Sequence, residues 1–289
     1  MRKSQFIFVL MLGCSLAAMA KAGTSKDNCE RVAGEGNCHA ILNNPYFETE
    51  GYSDTTYYAL SGPEGNKTMT IYGTTESGNT AATVPTYAFF DYTSWESTIP
   101  GDVKSLKTFG NVDIGDAAFQ GATSLTSVDL SGVQSIGYSA FEGATGLTSV
   151  DLTGVQRLAS SAFYDATGLK SVIISDSLLG DDGKILDWEY DEESDVSTGV
   201  APSAFTGSGL KTIYCPAGKI CGNYFYGFPG GIPKVIPYSI ENGQIKAGGK
   251  TYASLDDLAS GNHIPKRIYT IDEANAVAGK VNSVKIRYR

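Results

Sequence analysis

The chain has 289 residues, 42% of them hydrophobic and 18% charged, and a net charge of −9. These values describe a folded globular protein with room for one large domain or two smaller ones. They exclude a general nucleic-acid-binding role, which needs a basic surface.

Residues 1–22 read as an export signal. "MRKSQ" is basic, "FIFVLMLG" is apolar, and Ala18-Met19-Ala20 is a small-x-small cleavage site. "MLGC", ending at Cys14, is the alternative lipidation site, but Met11 is a poor residue at its first position. Cleavage near Ala20 or Ala22 is therefore the expectation. Residues 23–100 are assigned to an N-terminal cap and opening segment. Four cysteines remain after cleavage, in two close pairs. In an exported chain that pattern predicts local disulfides Cys29–Cys38 and Cys215–Cys221. Zinc held by Cys29, Cys38 and His39 is the alternative, and its spacing fits no standard site.

From residue 101 the sequence repeats itself. Phe119, Phe141 and Phe163 are 22 residues apart, and the same step relates Leu125, Leu147 and Leu169, and Val128, Val150 and Val172. A fixed period in the twenties predicts a stacked solenoid in the leucine-rich-repeat range. In each unit an L-x-x-V-x-L stretch such as Leu147, Val150 and Leu152 should form a short strand with those side chains inward. A worn first coil keeps Val103, Leu106, Val112 and Ile114. Downstream, Phe205 lies 42 residues beyond Phe163, so about 20 residues have been inserted into the array. Cys215 stands where Leu152 does in an earlier coil, placing a Cys215–Cys221 bond at the open end of the core.

The insertion, residues 176–198, is the strongest local anomaly. Its acidic residues include Asp181, Asp182, Asp187, Glu189, Asp191, Glu192, Glu193 and Asp195. A calcium loop would need a ligand at its first position, where Leu178 stands, so a solvated protruding loop is expected instead. Residues 236–289 read as a small α+β module separate from the solenoid. "SIENGQIKAGGKTYAS" predicts a hairpin with an Asn-Gly turn, and "LDDLASG" a short helix capped by Ser254 and ended by Gly261. Thr270 and Glu273 form a capping box for another helix, before an alternating final strand through Val284, Ile286 and Tyr288. Lys280, Lys285, Arg287 and Arg289 cluster at the terminus, either as a solvated strand face or as a contact for an anionic envelope component. The overall expectation is a β-rich α+β fold: 22-residue coils, residues 101–235, between a cap and this module.

The stretches "IGYSAFEGATGLTSVDL" and "AFTGSGLKTIYCPAG" resemble BspA-type leucine-rich repeats, known from bacterial and some protozoan surface proteins. The segment "MTIYG…VPTYAFFDYTSW" is similar to the opening of such proteins, so the resemblance runs from about Met69 to Gly218. It implies a surface-exposed binding or adhesion role, with extracellular-matrix proteins as a partner type, and no particular ligand.

Catalytic motifs are missing. Only His39 and His263 are available for histidine chemistry, and the sequence has no P-loop, dinucleotide-binding glycine motif or HExxH. No enzyme activity, cofactor or metal is expected. The candidate contact surface is the outward side of the repeat strands, where alternate side chains face solvent. There Ser127, Ser149 and Ser171 should stack, as should Asp129, Asp151 and Ile173, and Ser131, Thr153 and Ser175. The partner expected for this sheet is an extracellular protein or glycan. The alternative roles are a structural envelope component anchored or sorted by the C-terminal module, and a hydrolase with no visible motif.

Overall fold

The computed structural model describes residues 24–34, 36–41, 56–74, 81–91, 93–174, 176–179, 189–191, 196–201, 203–221 and 227–261. Residues 1–23, with the predicted export signal, and residues 262–289 lie outside them, the latter with the second predicted helix, the predicted final strand and the basic cluster.

A capping box starts the first element. The Thr24 side chain accepts from the Asp27 amide, and the Asp27 carboxylate accepts from the Thr24 amide, which satisfies two N-terminal donors of helix α1 (Ser25–Ala33). Cys29 faces down from α1 and is bonded to Cys38, as the spacing predicted. The chain then forms β1 (His39–Ala40), antiparallel to β2 (Tyr57–Ser61), which is antiparallel to β3 (Lys67–Tyr72). The Asn28 side chain donates to Gly73 O at 2.7 Å, and Cys29 packs with Ala59 and Tyr72. The helix is thereby fixed over β2 and β3.

Repeat architecture begins at β3, inside the segment assigned to the cap. β3 pairs in parallel with β7 (Val103–Phe109), and β4 (Ala82–Val84) with β8 (Val112–Ile114). Between them a two-rung hairpin, β5 (Phe90–Asp91) and β6 (Glu96–Ser97), carries an exposed Trp95. Each later unit adds one strand to the strand face and, through residue 158, one to the second sheet. β9 (Ser127–Asp129), β11 (Ser149–Asp151) and β13 (Ser171–Ile173) lie on the strand face, and β10 (Val133–Ile136) and β12 (Arg157–Leu158) on the second sheet. Pairing partners are separated by one repeat: Ser105 with Ser127, Ser149 with Ser171, Ser135 with Arg157. That is the register a 22-residue step dictates.

The turn between the second sheet and the next unit is the "AF" corner. Tyr87, Ala117, Ser139 and Ser161 precede it with left-handed φ values of 50–58°, turning the chain so that the Phe two residues on points inward. Phe89, Phe119, Phe141, Phe163 and Phe205 stack with centroids 5.2–5.3 Å apart. Four of them, Phe119 to Phe205, are fully buried. Each such phenyl contributes about 1.5–3 kcal/mol by burial alone. Leu125, Leu147 and Leu169 flank this spine, and Val103, Leu106, Val112 and Ile114 of the worn coil join the same core.

The insertion departs from a simple protruding loop. Leu178, in a 3-10 turn (Asp176–Leu178), and Leu179 enter the main core. After residues outside the described set, β14 (Glu189–Asp191) pairs with β15 (Val196–Val200), and β15 continues the second sheet beside β12. The two leucines anchor the departing chain, and β15 restores the register on its return. Residues 180–188 and 192–195, which hold most of the acidic side chains, lie outside the described residues.

The C-terminal part is not separate from the repeats. β16 (Thr212–Pro216) pairs in parallel with β13 and with β17 (Lys234–Glu241), a strand that crosses residue 236 without a break. β17 turns through Asn242-Gly243, both at left-handed φ, into β18 (Gln244–Ala247) and then β19 (Lys250–Tyr252), as "ENG" predicted. Helix α2 (Leu255–Ser260) has its predicted caps: the Ser254 hydroxyl accepts from Asp257 N, and Gly261 is left-handed. Cys215–Cys221 is formed, with Cys215 in the main core at the Leu152-equivalent position.

Candidate functional site

Outward positions on parallel strands depend on what lies over the sheet, and here both ends are covered. Helix α1 occupies β2 and β3. At the other end Tyr238, Ile245, Ala247, Tyr252 and Leu258 close over Ile173 and Tyr214 in a second core. Ile173 and Ser171, expected to face solvent, are 0% and 7% exposed. The change has a visible cause: where earlier coils carry Asp129 and Asp151, this one carries isoleucine, an apolar rung that the hairpin and α2 cover. The Tyr238 hydroxyl donates to Ile174 O at 3.1 Å beneath this cover. Burial, with the nearby Asp151 and Asp176 carboxylates, pushes its pKa up to about 12.

What stays open is a saddle over β7, β9 and β11. Ser127, Asp129, Ser131 and Thr153 are exposed, Ser149 and Asp151 are half-buried, and Ser175 falls outside the described residues. The expected stacking holds in part. Ser127 Oγ meets Ser105 Oγ at 2.9 Å on the preceding strand, and Ser149 pairs with Ser171. β9 and β11, however, end separate sheets of five and six strands, so Ser127 and Ser149 are neighbours without a shared ladder.

The two aspartates have a local duty that the outward-face reading missed. Asp129 Oδ1 accepts from Ser131 N at 3.2 Å, and Asp151 Oδ1 accepts from Thr153 N at 2.9 Å and from the Thr153 hydroxyl. Both close an Asx turn that ends the strand. The signal was present in the sequence, in "VDLSG" and "VDLTG", as an Asp two residues before a Ser or Thr and three before a Gly.

Beside the saddle, a cleft of about 1050 Å³ runs along the flank of α1. Val32 and Asn37 form one wall, and Lys107, Phe109, Asp129 and Ser131 contribute floor and far side. Sequence reading missed Val32, Lys107 and Phe109, because nothing in the repeat pattern states where the N-terminal helix lands. The cleft joins an apolar strip to hydroxyl, amide and charged groups. Among the described residues no three His, Cys, Asp or Glu side chains come together as a metal site. Cys29 and Cys38 are oxidised, so they provide no thiolates for the zinc alternative.

Comparison with known proteins yields one result: residues 82–181 match the BspA type leucine rich repeat region, in six copies. No curated protein and no solved structure matches the chain. The matched span opens at β4 and closes in the insertion, so it covers the phenylalanine spine up to Phe163 and the three strands of the saddle. The match and the stacked parallel strands agree: residues 82–181 carry BspA-type leucine-rich repeats.

Proposed function

We propose that the chain is an exported leucine-rich-repeat solenoid that binds an extracellular protein or glycan at a cell surface and catalyses no reaction. The observation that carries this reading is the saddle itself. Two covers bury both ends of the strand face, α1 on one side and the hairpin with α2 on the other, and leave one polar stretch open between them. Solenoids use such faces for contact. Two disulfides and the export signal support an oxidising location outside the cytoplasm, and the repeat family supports a binding role.

The test uses the purified chain on immobilised matrix proteins and glycans. Saturable binding is expected, weakened at least tenfold by Lys107→Glu combined with Ser127→Arg. Both residues are exposed on the saddle and neither closes a turn. Absence of saturable binding, or binding indifferent to the double variant, would overturn the assignment to this face.

A further inference from the structure

The second sheet carries a polar row of its own. Thr83, Asp113, Ser135 and Arg157 occupy one rung on four successive parallel strands, β4, β8, β10 and β12. Their neighbours Ile114 and Ile136 turn into the core, so the row faces the opposite way, into a cavity of about 510 Å³. Gly115 and Gly137 deepen it. A Cβ at either would meet a neighbouring coil's oxygen at 2.5 Å, so stacking keeps both positions bare. A register shift between Val133 and Ser135 marks the row, the kind of irregularity that re-aims a side chain beside a site.

The row is incompletely satisfied. Arg157 Nε donates to Ser135 Oγ at 3.1 Å, yet Asp113 Oδ1 is buried without a hydrogen-bond partner. Burial holds the Asp113 pKa above the usual carboxylate range, against the opposing pull of the Arg157 charge and the Ser135 amide. A buried acceptor left open costs about 1–3 kcal/mol, more for a charged one, so its retention needs a reason. Tyr138 stands exposed at the rim, its amide held by Asp116 Oδ1 at 2.7 Å.

We propose that this cavity is a binding site for a neutral saccharide. The Asp113 carboxylate offers the cavity an acceptor, and the Arg157 guanidinium on the far side of Ser135 offers it donors. A sugar hydroxyl is both at once, so vicinal hydroxyls bridge the row. Anionic ligands meet Asp113 and Asp116, and cationic ones meet Arg157. The Tyr138 ring supplies a flat face for a sugar's C–H side, and the volume lies within the range of small-ligand sites, about 300–1,000 Å³. This site is on a different sheet from the saddle and stands whether or not the saddle binds anything.

A glycan array probed with the purified chain, followed by calorimetric titration of the best free oligosaccharide, tests it. A neutral glycan should bind. Asp113→Asn and Arg157→Gln should each weaken that binding at least tenfold, and Ser135→Ala should weaken it less. Asp113→Asn should keep or raise the melting temperature, since it removes a buried charge while preserving shape. The proposal falls if no neutral glycan binds, if only acidic glycans or a peptide occupy the cavity, or if the affinity ignores the Asp113, Ser135 and Arg157 substitutions.

Discussion

Gly121, Gly143, Asp165 and Gly207 occupy the same position in successive units, two residues after the spine phenylalanine, and all have left-handed φ, 51–75°. Three units use the residue without a Cβ, and one uses an exposed aspartate for which no side-chain hydrogen bond among the described residues compensates the strain. Asp165→Gly should therefore stabilise the fold by about 0.5–1 kcal/mol, less whatever glycine adds to unfolded-chain entropy. For a chain of this size that is roughly 1–4 °C in melting temperature. Calorimetry checks the sign, and a lower melting temperature would show that Asp165 holds a contact that glycine cannot replace.

At the scale of elements, the repeat was readable because each core position recurs at the same step: Leu147, Val150, Leu152 and Phe141 are all buried where the period put them. The helix caps and the Asn-Gly turn were equally local and equally readable. Three things were not. The stacking begins at β3, whose sequence "KTMTIY" lacks the repeat phrase. The insertion returns through β15, which pairs by backbone and needs no motif. The break between β9 and β11 leaves no trace in two almost identical segments. Position-specific glycines show the other side of this locality. A Cβ on Gly168 would lie 2.0 Å from Thr145 O, and one on Gly209 2.2 Å from Thr167 O, whereas the first unit carries Ser124 at this position. Gly168→Ala should cost about 1–3 kcal/mol through forced separation of two coils, and Ser124→Ala less than about 0.5 kcal/mol. Equal effects in urea unfolding would refute close approach as the reason for the glycine.

Over the whole molecule, a stacked array has two problems that its repeat cannot solve: an open end on the core and an extended sheet whose outward side must stay soluble. The chain answers both with the same two devices. At its start, β2 and β1 extend the strand-face sheet beyond β3, and α1 covers its outward side, stapled by Cys29–Cys38. At its end, Cys215–Cys221 closes the core, while β17 to β19 and α2 fold back over Ile173 and Tyr214. The C-terminal segment, read from sequence as an independent module, is in its described part a cover, because Ile173 and Tyr214 need one and only a strand continuing the sheet can position it. Leu258 is the fully buried residue that fastens α2 to this second core. Leu258→Ala should thus cost about 2–5 kcal/mol. It should also raise hydrogen exchange at Ile173, Ile174 and Tyr214, which lie under the cover, while the amides of the phenylalanine spine keep their protection. If the segment were a tethered domain instead, the same substitution would unfold it alone, and exchange at Ile173 and Tyr214 would not change.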